Sequence, residues 1–527
     1  MQSSVVSSIT IVRAGRALRA VGTDYMQTVV AVICTLAVTP FMVNSLGSAA
    51  YGLWVVLGSV MAYLQLLELG QATALTKLIA GSAAVGDKAH INQLFAYSIR
   101  IYLLIAGIAL SICFALSILL PKWLAGQPTL APAGRFALLI IGLSIAIRLF
   151  MTSYTSILSG HQRLDIINLI QIWTTAATVI ATVTFLWLNL GLIGAALGAA
   201  AGVTTGSLIT LIAVHYLFPW LKAASAPASP REVLSTSVFY LLIGIGVQVI
   251  FYTDNIVIGT FLGVSSVTAY ALAFQLIMIS IGLVTKIGNP AFPLFVELEA
   301  LGRRSEMSET FVTVSRLAVS IASLLAVGLL SFGRDFIKLW IGSDNLVTAE
   351  TFFIMVTMVF MMGVINPAAA ILLAAGRHKT VVIVNAAEAV LNLSLSLLLV
   401  GPYGVTGVAA GTAVATALTS LWSIPLLTIR YLNIPWTTYL FRSVVPPVLL
   451  ASVIGGALIV YVHGMNRLDA TGLVSMTAGS TGAALFYAAG FWYLLTPRRQ
   501  RQQYTLIIQN IFSRKSKQAV TYEHDIV

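Results

Sequence analysis

The chain has 527 residues, of which 58% are hydrophobic and only 9% charged, with a formal net charge of +12. A soluble domain carries about 25% charged residues, so this chain cannot cover itself for water and reads as an all-α polytopic membrane protein. Its two cysteines, Cys34 and Cys113, both lie in apolar runs, which excludes a disulfide framework or a cysteine metal box.

Nothing at the N-terminus reads as a cleaved signal, because Arg13, Arg16 and Arg19 precede a span that runs straight into others. A membrane helix needs roughly 20 apolar residues, and by that rule about fourteen spans are expected. They fall near 24–45, 51–76, 92–119, 136–157, 166–188, 191–217, 236–260, 266–290, 310–332, 348–374, 380–400, 404–429, 443–463 and 470–495. Strand-like alternation is absent, so a β-barrel is not expected.

The second half of the chain repeats the first at a constant offset. Gly47 returns as Gly263, Gly86 as Gly302, Phe95 as Phe311 and Arg100 as Arg316. Lys122 and Gly126 return as Lys338 and Gly342, and Gly160 and Arg163 as Gly376 and Lys379. The run GLIGAALG at 191–198 comes back as GVTGVAAG at 404–411 after a short deletion. The repeat pairs the first six spans with the next six. The expected division is an N-terminal lobe at 1–218, a cytoplasmic linker at 219–235, a C-terminal lobe at 236–430, two additional spans within 431–495 and a basic tail at 496–527. Six spans return the chain to its starting face, so the copies are parallel repeats about an axis along the membrane normal. Two such lobes suit an alternating-access transporter with a central cavity, whereas a channel is more naturally built from identical subunits.

Lysine and arginine bias sets orientation. With a cytoplasmic N-terminus, the cytoplasmic segments hold most of the basic residues. The opposite face keeps Lys122, Arg135, Arg334, Lys338 and Arg467. Both termini are then cytoplasmic, and the net charge is explained without nucleic acid. The basic loops and the tail RRQRQQYTLIIQNIFSRKSK are expected to meet anionic lipid headgroups.

Ionisable residues inside spans are costly and default to functional candidates. They are Glu68, Arg100, Arg148, Asp254, Lys286, Arg316 and Glu388. The bases outnumber the acids, which suits an anionic cargo such as a diphosphate better than the cationic drugs of an exporter. Arg148, in GLSIAIRLFMTS, lies too deep for easy snorkelling and reads as a cavity cation, with a structural ion pair as the alternative. Arg100 and Arg316 read either as a paired substrate clamp or as snorkelling side chains. Lys286, beside Gly288 and Pro290, reads as a further cavity cation or an interfacial anchor. Asp254, Glu68 and Glu388 are candidates for coupling to H+ or Na+, or for structural contacts.

The pairs Gly194/Gly198 and Gly407/Gly411 have the spacing of close helix packing. No GxxxxGK[ST] loop appears and no nucleophile or paired-acid constellation stands out, so neither ATP hydrolysis, enzymatic chemistry, a metal nor an organic cofactor is expected.

The run NSLGSAAYGLWVVLGSVMAYLQLLELGQATALTKLIA (44–80) resembles the start of the bacterial polysaccharide transporter family, the O-antigen and exopolysaccharide flippases. TDNIVIGTFLGVSSVTAYALAFQL (253–276) is similar to that family's junction of spans seven and eight, and the resemblance covers about residues 20–430. It implies a bacterial inner-membrane flippase carrying undecaprenyl-diphosphate-linked oligosaccharide to the periplasmic leaflet, driven by an ion gradient, with polysaccharide polymerase machinery as a partner. The same superfamily holds multidrug/cation antiporters and lipid II flippases. The two extra spans resemble the lipid II branch, where they form a groove for the lipid tail, whereas ITIVRAGRALRAVG does not clearly match that branch's arginine-rich N-terminal signature.

Overall fold

The computed structural model describes residues 2–68, 70–224, 230–288, 291–467, 472–498 and 501–502, the side chains of 2–18, 20, 230–240, 466–467 and 473 excepted. Most of the basic tail at 496–527 and residues 225–229 of the expected linker therefore lie outside the described residues. Within them the protein is helical, with no strand. Among the described residues, eleven helical stretches are long and apolar enough to cross a membrane. Two of these, 21–68 and 378–432, contain a non-helical glycine, Gly47 and Gly404, and a further apolar helix covers Leu473–Gly490.

In chain order the helices of the first copy are α1 (Gln2–Gln65), α2 (Gln71–Val85), α3 (Lys88–Trp123), α4 (Ala131–Gly160), α5 (Leu164–Trp187) and α6 (Gly191–Leu217). The second copy holds α7 (Pro230–Phe261), α8 (Val264–Gly288), α9 (Phe292–Ala300), α10 (Arg304–Gly328), α11 (Arg334–Ile341), α12 (Ala349–Ala374), α13 (His378–Leu418) and α14 (Ser420–Leu432). After α15 (Trp436–Tyr439) come the additional helices α16 (Val445–Arg467) and α17 (Leu473–Gly490).

The sequence repeat reappears in the backbone. Gly47 and Gly263 have φ of 74° and 85°, and Gly191 and Gly404 have 53° and 57°. Only glycine enters that region without a Cβ penalty, so each repeat turns where its glycine permits. The expected span at 51–76 is interrupted: a short helical turn, Leu66–Glu68, and a left-handed Gly70 (φ 67°) separate α1 from α2. Glu68 thus sits at a bend rather than inside a continuous helix. Asp87 caps α3 by accepting from the His90 backbone N–H at 2.9 Å. The start of the expected linker is tied down, since Asn92 accepts from the backbone N–H of Lys222 (3.0 Å) through its side chain and of Ala224 (3.3 Å) through its carbonyl.

Contacts divide the chain into two compact units. The first holds Met1–Ile279, Ile337–Met355 and Arg377–Ser420; the second holds Ser280–Phe336, Val356–Gly376 and Leu421–Val527. In the first unit, α5 and α6 meet along small residues. A Cβ on Gly198 or Gly202 would collide with Thr182 or Thr178 of α5, and one on Gly206 with Thr174. Three glycines four residues apart therefore lie on three threonines four residues apart, the close approach that small-residue spacing permits. The core of this unit gathers Leu53, Leu75, Leu94, Tyr102, Leu138 and Ile157, all fully or almost fully buried.

Helices of the second copy pack on the first within the same unit. Asn255 Nδ2 donates to Ser59 Oγ (3.0 Å), Gln248 Nε2 to the Ala62 carbonyl (3.0 Å) and Thr268 Oγ1 to the Ser48 carbonyl (2.6 Å). The contacts are reciprocal at one end. Trp123 Nε1, after the third span, donates to Thr260 Oγ1 (3.1 Å), while Trp340 Nε1, after the corresponding span of the second copy, donates to the Leu36 carbonyl (2.7 Å).

In the second unit, α16 and α17 pack with Phe332 around Ile454, Leu458 and Tyr487. Phe311 of α10 stacks on Tyr439 with ring centroids 5.5 Å apart, and Ser443 donates to the Val312 carbonyl at 3.0 Å. The two helices without a repeat counterpart are thus packed into a unit with helices of the second copy.

Candidate functional site

Two polar sites lie inside the first unit. The first is a cavity of about 270 Å³ walled by the end of α1 and by α4, α5 and α6. Its lining includes Gln65, Glu68, Arg148, Thr152, Thr155, Gln171, Ser207 and Thr210 among apolar neighbours such as Ile145, Ile167 and Val203. The helical period places Arg148, Thr152 and Thr155 on one face of α4. Thr152 and Thr155 donate to the Arg148 and Met151 carbonyls at 3.3 and 3.1 Å, leaving their oxygens as acceptors toward the cavity. Among the described residues, no carboxylate lies within ion-pair distance of Arg148; its electrostatic neighbour is Glu68. A guanidinium that faces a polar cavity, with no ion-pair partner among the described residues, has the chemistry to hold an anion.

The second site is a closed polar seam between α7, α8 and the two halves of α13. Asp254 is 1% exposed and accepts from Tyr270 Oη (2.5 Å), Thr412 Oγ1 (2.8 Å) and Ser396 Oγ (3.5 Å). Glu388 is 3% exposed and accepts from Thr416 Oγ1 (2.5 Å) and from Ser420 Oγ. Between them, Asn392 Nδ2 donates to Thr412 Oγ1 (2.7 Å), and Asn392 Oδ1 is buried without a hydrogen-bond partner.

The local sequence explains the seam. Gly404 folds α13 back on itself, and a Cβ on Gly407 or Gly411 would strike the Leu399 carbonyl or the Ser396 backbone. The two halves therefore close tightly, with Glu388, Asn392 and Ser396 on one and Thr412 and Thr416 on the other, Ser420 following. Among the described residues, no lysine, arginine or histidine forms an ion pair with Asp254 or Glu388. Charged carboxylates so deeply buried are costly without a proton or a cation. The donor set is all oxygen, which suits a proton or a hard cation rather than a soft metal.

The remaining candidates are not among the residues that line the cavity or bond within the seam. Arg100 is exposed on α3 beside Leu103, Leu104, Ile108 and Ile112, along a shallow apolar groove. Its repeat mate Arg316 is 8% exposed inside α10 of the second unit. Lys286, half-buried in the last turn of α8, also belongs to the second unit. Of the candidate residues, the structure brings together Arg148 with Glu68, and Asp254 with Glu388.

A model of the family described as "Polysaccharide biosynthesis protein" matches residues 21–299, more than half of the chain, and a MatE model matches residues 240–398. The chain belongs to the polysaccharide biosynthesis protein family. A curated relative, the uncharacterized membrane protein EpsK of Bacillus subtilis (strain 168), is 22% identical over 503 residues, covering 93% of this chain and 96% of that protein. Among solved structures, the lipid II flippase MurJ in an inward closed conformation is similar with a TM-score of 0.69 at 14% identity, covering 90% of this chain and 99% of that one. An inward-facing multidrug resistance MATE family transporter of the MOP superfamily gives 0.63 at 14% identity, with 77% and 98% covered. A MOP superfamily transporter from Pyrococcus furiosus Vc1 (DSM3638), described for the reverse polarity of its binding pocket, gives 0.59 at 13% identity, with 79% and 94% covered. The fold is that of the MOP-superfamily transporters, all-α and multi-pass.

The membrane-embedded charges carry only part of this family member's polar chemistry. Tyr270, Asn392, Ser396, Thr412, Thr416 and Ser420 are neutral and draw no attention as membrane-embedded charges. Their signal was spacing: 388, 392 and 396, then 412 and 416, each four apart along α13, with Gly404 marking the reversal between them and Ser420 opening α14.

Proposed function

We propose that this protein is a flippase that carries a polyprenyl-diphosphate-linked oligosaccharide from the cytoplasmic to the periplasmic leaflet of a bacterial inner membrane, for cell-surface polysaccharide synthesis. The observation that carries this reading is Arg148, a cation facing a polar cavity with no carboxylate within ion-pair distance among the described residues. A diphosphate that leaves water needs such a partner, and neighbouring hydroxyl and amide groups (Thr152, Thr155, Gln171, Ser207) suit a sugar. Membership of the polysaccharide biosynthesis family supports a glycan cargo. Family and fold are those of transporters, which supports a protein that acts by moving its cargo. Both termini are assigned to the cytoplasm on charge bias, and the two sequence copies, 1–218 and 236–430, are assigned as the lobes of alternating access.

Coupling is assigned to the Asp254–Glu388 seam. A proton or sodium ion entering there neutralises a carboxylate that has no basic partner, and its release restores the buried charge, so occupancy biases the packing of α7 against α13. Anionic lipid at the basic cytoplasmic segments and a polysaccharide polymerase are the expected partners.

The deciding experiment reconstitutes the purified protein in liposomes with fluorescent lipid-linked oligosaccharide and measures its accessibility in each leaflet. Wild type is expected to equilibrate the cargo and Arg148→Ala to fail. Cargo movement unchanged by Arg148→Ala overturns the cavity assignment, and no movement by wild type under any ion gradient overturns the flippase reading. A second reading, flipping of lipid II, is favoured by the fold likeness to MurJ and by the additional helices α16 and α17. Lipid II in the same assay separates the two cargoes.

A further inference from the structure

The cavity contains an acid as well as a base, and the acid has a second electrostatic neighbour on α3. Glu68 ends the short turn Leu66–Glu68, with left-handed Gly70 two residues on, and this turn packs against α3. The carboxylate lines the same cavity as Arg148 without making an ion pair with it, and the two interact electrostatically. Glu68 also interacts electrostatically with Tyr102 of α3, the helix against which this turn packs. Tyr102 is 0% exposed and its hydroxyl makes no hydrogen bond. A buried phenol O–H without an acceptor is uncommon, because such a group carries a desolvation cost with nothing to offset it. The carboxylate sits at a bend closed by a glycine and accepts from the Ala72 backbone N–H; its rotatable side-chain bonds let it exchange that donor for another.

The geometry points to Glu68 as a displaceable internal counter-ion for Arg148, with Tyr102 as the donor that receives its carboxylate when cargo arrives. Without cargo, Glu68 balances the Arg148 charge across the cavity. A diphosphate entering at Arg148 repels the carboxylate and takes over the guanidinium donors. Glu68 then turns toward α3, where the Tyr102 hydroxyl donates to it and loses its unsatisfied state. The cation is thus kept neutralised in the empty cavity, and release of cargo is assisted by an acid ready to return. The inference rests on the reading of Arg148 as the anion site. It makes Glu68 and Tyr102 positioning residues, which need not touch the cargo themselves.

The test is equilibrium binding of farnesyl diphosphate to the purified full-length protein in detergent, read by tryptophan fluorescence, with a melting curve for each variant. Because it removes a competitor for the guanidinium, Glu68→Gln is expected to tighten binding by about fivefold. Tyr102→Phe is expected to weaken it by about threefold in the wild-type background and to have no effect in the Glu68→Gln background, since the hydroxyl acts only through the carboxylate. Weakened binding in Glu68→Gln makes Glu68 a direct cargo ligand and overturns the proposal. An effect of Tyr102→Phe that persists in the Glu68→Gln background overturns the role of Tyr102. If Tyr102→Phe does not fold, tightening by Glu68→Gln still decides whether the acid competes with the cargo. Arg148→Ala is the separate control: binding that survives it removes the anion site, whatever Glu68 does.

Discussion

Thr412 Oγ1 donates to the Asp254 carboxylate at 2.8 Å and accepts from Asn392 Nδ2 at 2.7 Å. One hydroxyl thereby links α7 to both halves of α13. Replacing it by a methyl group of nearly the same shape strands the Asn392 amide and removes a donor from a buried acid. Thr412→Val is expected to lower stability by about 1–3 kcal/mol, whereas Thr412→Ser keeps the relay and loses less. Thermal unfolding in detergent measures both, and equal losses contradict the hydrogen-bond account.

The coupling assignment makes a different demand on the acids. Asp254→Asn and Glu388→Gln keep hydrogen-bonding capacity but remove the titratable, cation-binding charge. Both are expected to fold with melting temperatures close to wild type and to move cargo at a rate that no longer responds to an imposed ion gradient. The measurement is cargo flipping in liposomes with and without a sodium or pH gradient. A gradient response retained by both variants places coupling elsewhere.

Fold class and repeat were legible in the sequence because both are written in one dimension. Composition gives helices in a membrane, and the pairs Gly47/Gly263 and Gly191/Gly404 mark turns that recur with the same left-handed backbone. The break after Gln65 was not legible, since LQLLELG is largely apolar like its surroundings and Gly70 alone does not announce a bend. Arg148 and Glu68 stood out as charges, but their shared cavity depends on α4 meeting the end of α1, which no local pattern encodes. Arg100 and Arg316 show the converse. Their equivalence in the repeat does not extend to surroundings, one being exposed among leucines and isoleucines and the other buried in α10.

That contrast is open to direct test. Arg100→Gln alters a residue on the outer face of α3 and is expected to change flipping by less than about twofold, within the range of an exposed site. Arg148→Gln removes a charge-assisted contact worth about 1.5–3 kcal/mol and is expected to cost about tenfold or more in cargo binding. Equal losses in liposome flipping assays rule out the distinction drawn from burial.

The α5–α6 interface depends on the absence of side chains at three positions. A Cβ at Gly202 would approach the Thr174 carbonyl to 2.8 Å as well as meeting the Thr178 side chain. Backbone cannot swing aside as a side chain can, so Gly202→Leu forces the helices apart. The expected cost is about 1–3 kcal/mol, as in other overpacked cores, seen as a lower melting temperature. Gly107→Leu on α3, where a Cβ meets nothing within 4 Å, serves as the control and is expected to melt like wild type.

The reciprocal tryptophans give the last prediction. Trp123 reaches the second copy at Thr260, and Trp340 reaches the first copy at the Leu36 carbonyl, so each copy is fastened by an indole from the other. Ser48 lies beside this region, donating to Asn345 Oδ1 at 3.2 Å. Under alternating access these contacts must break when this face, assigned to the periplasm by charge bias, opens. Each hydrogen bond contributes about 1 kcal/mol net, so Trp123→Phe with Trp340→Phe is expected to shift the equilibrium toward opening by about tenfold or more. A cysteine at position 48, with Cys34 and Cys113 replaced by serine, reports the change through its reaction rate with a membrane-impermeant maleimide. Faster labelling in the double variant is the expected result. An unchanged rate, with folding intact, means that the indoles do not hold this face closed.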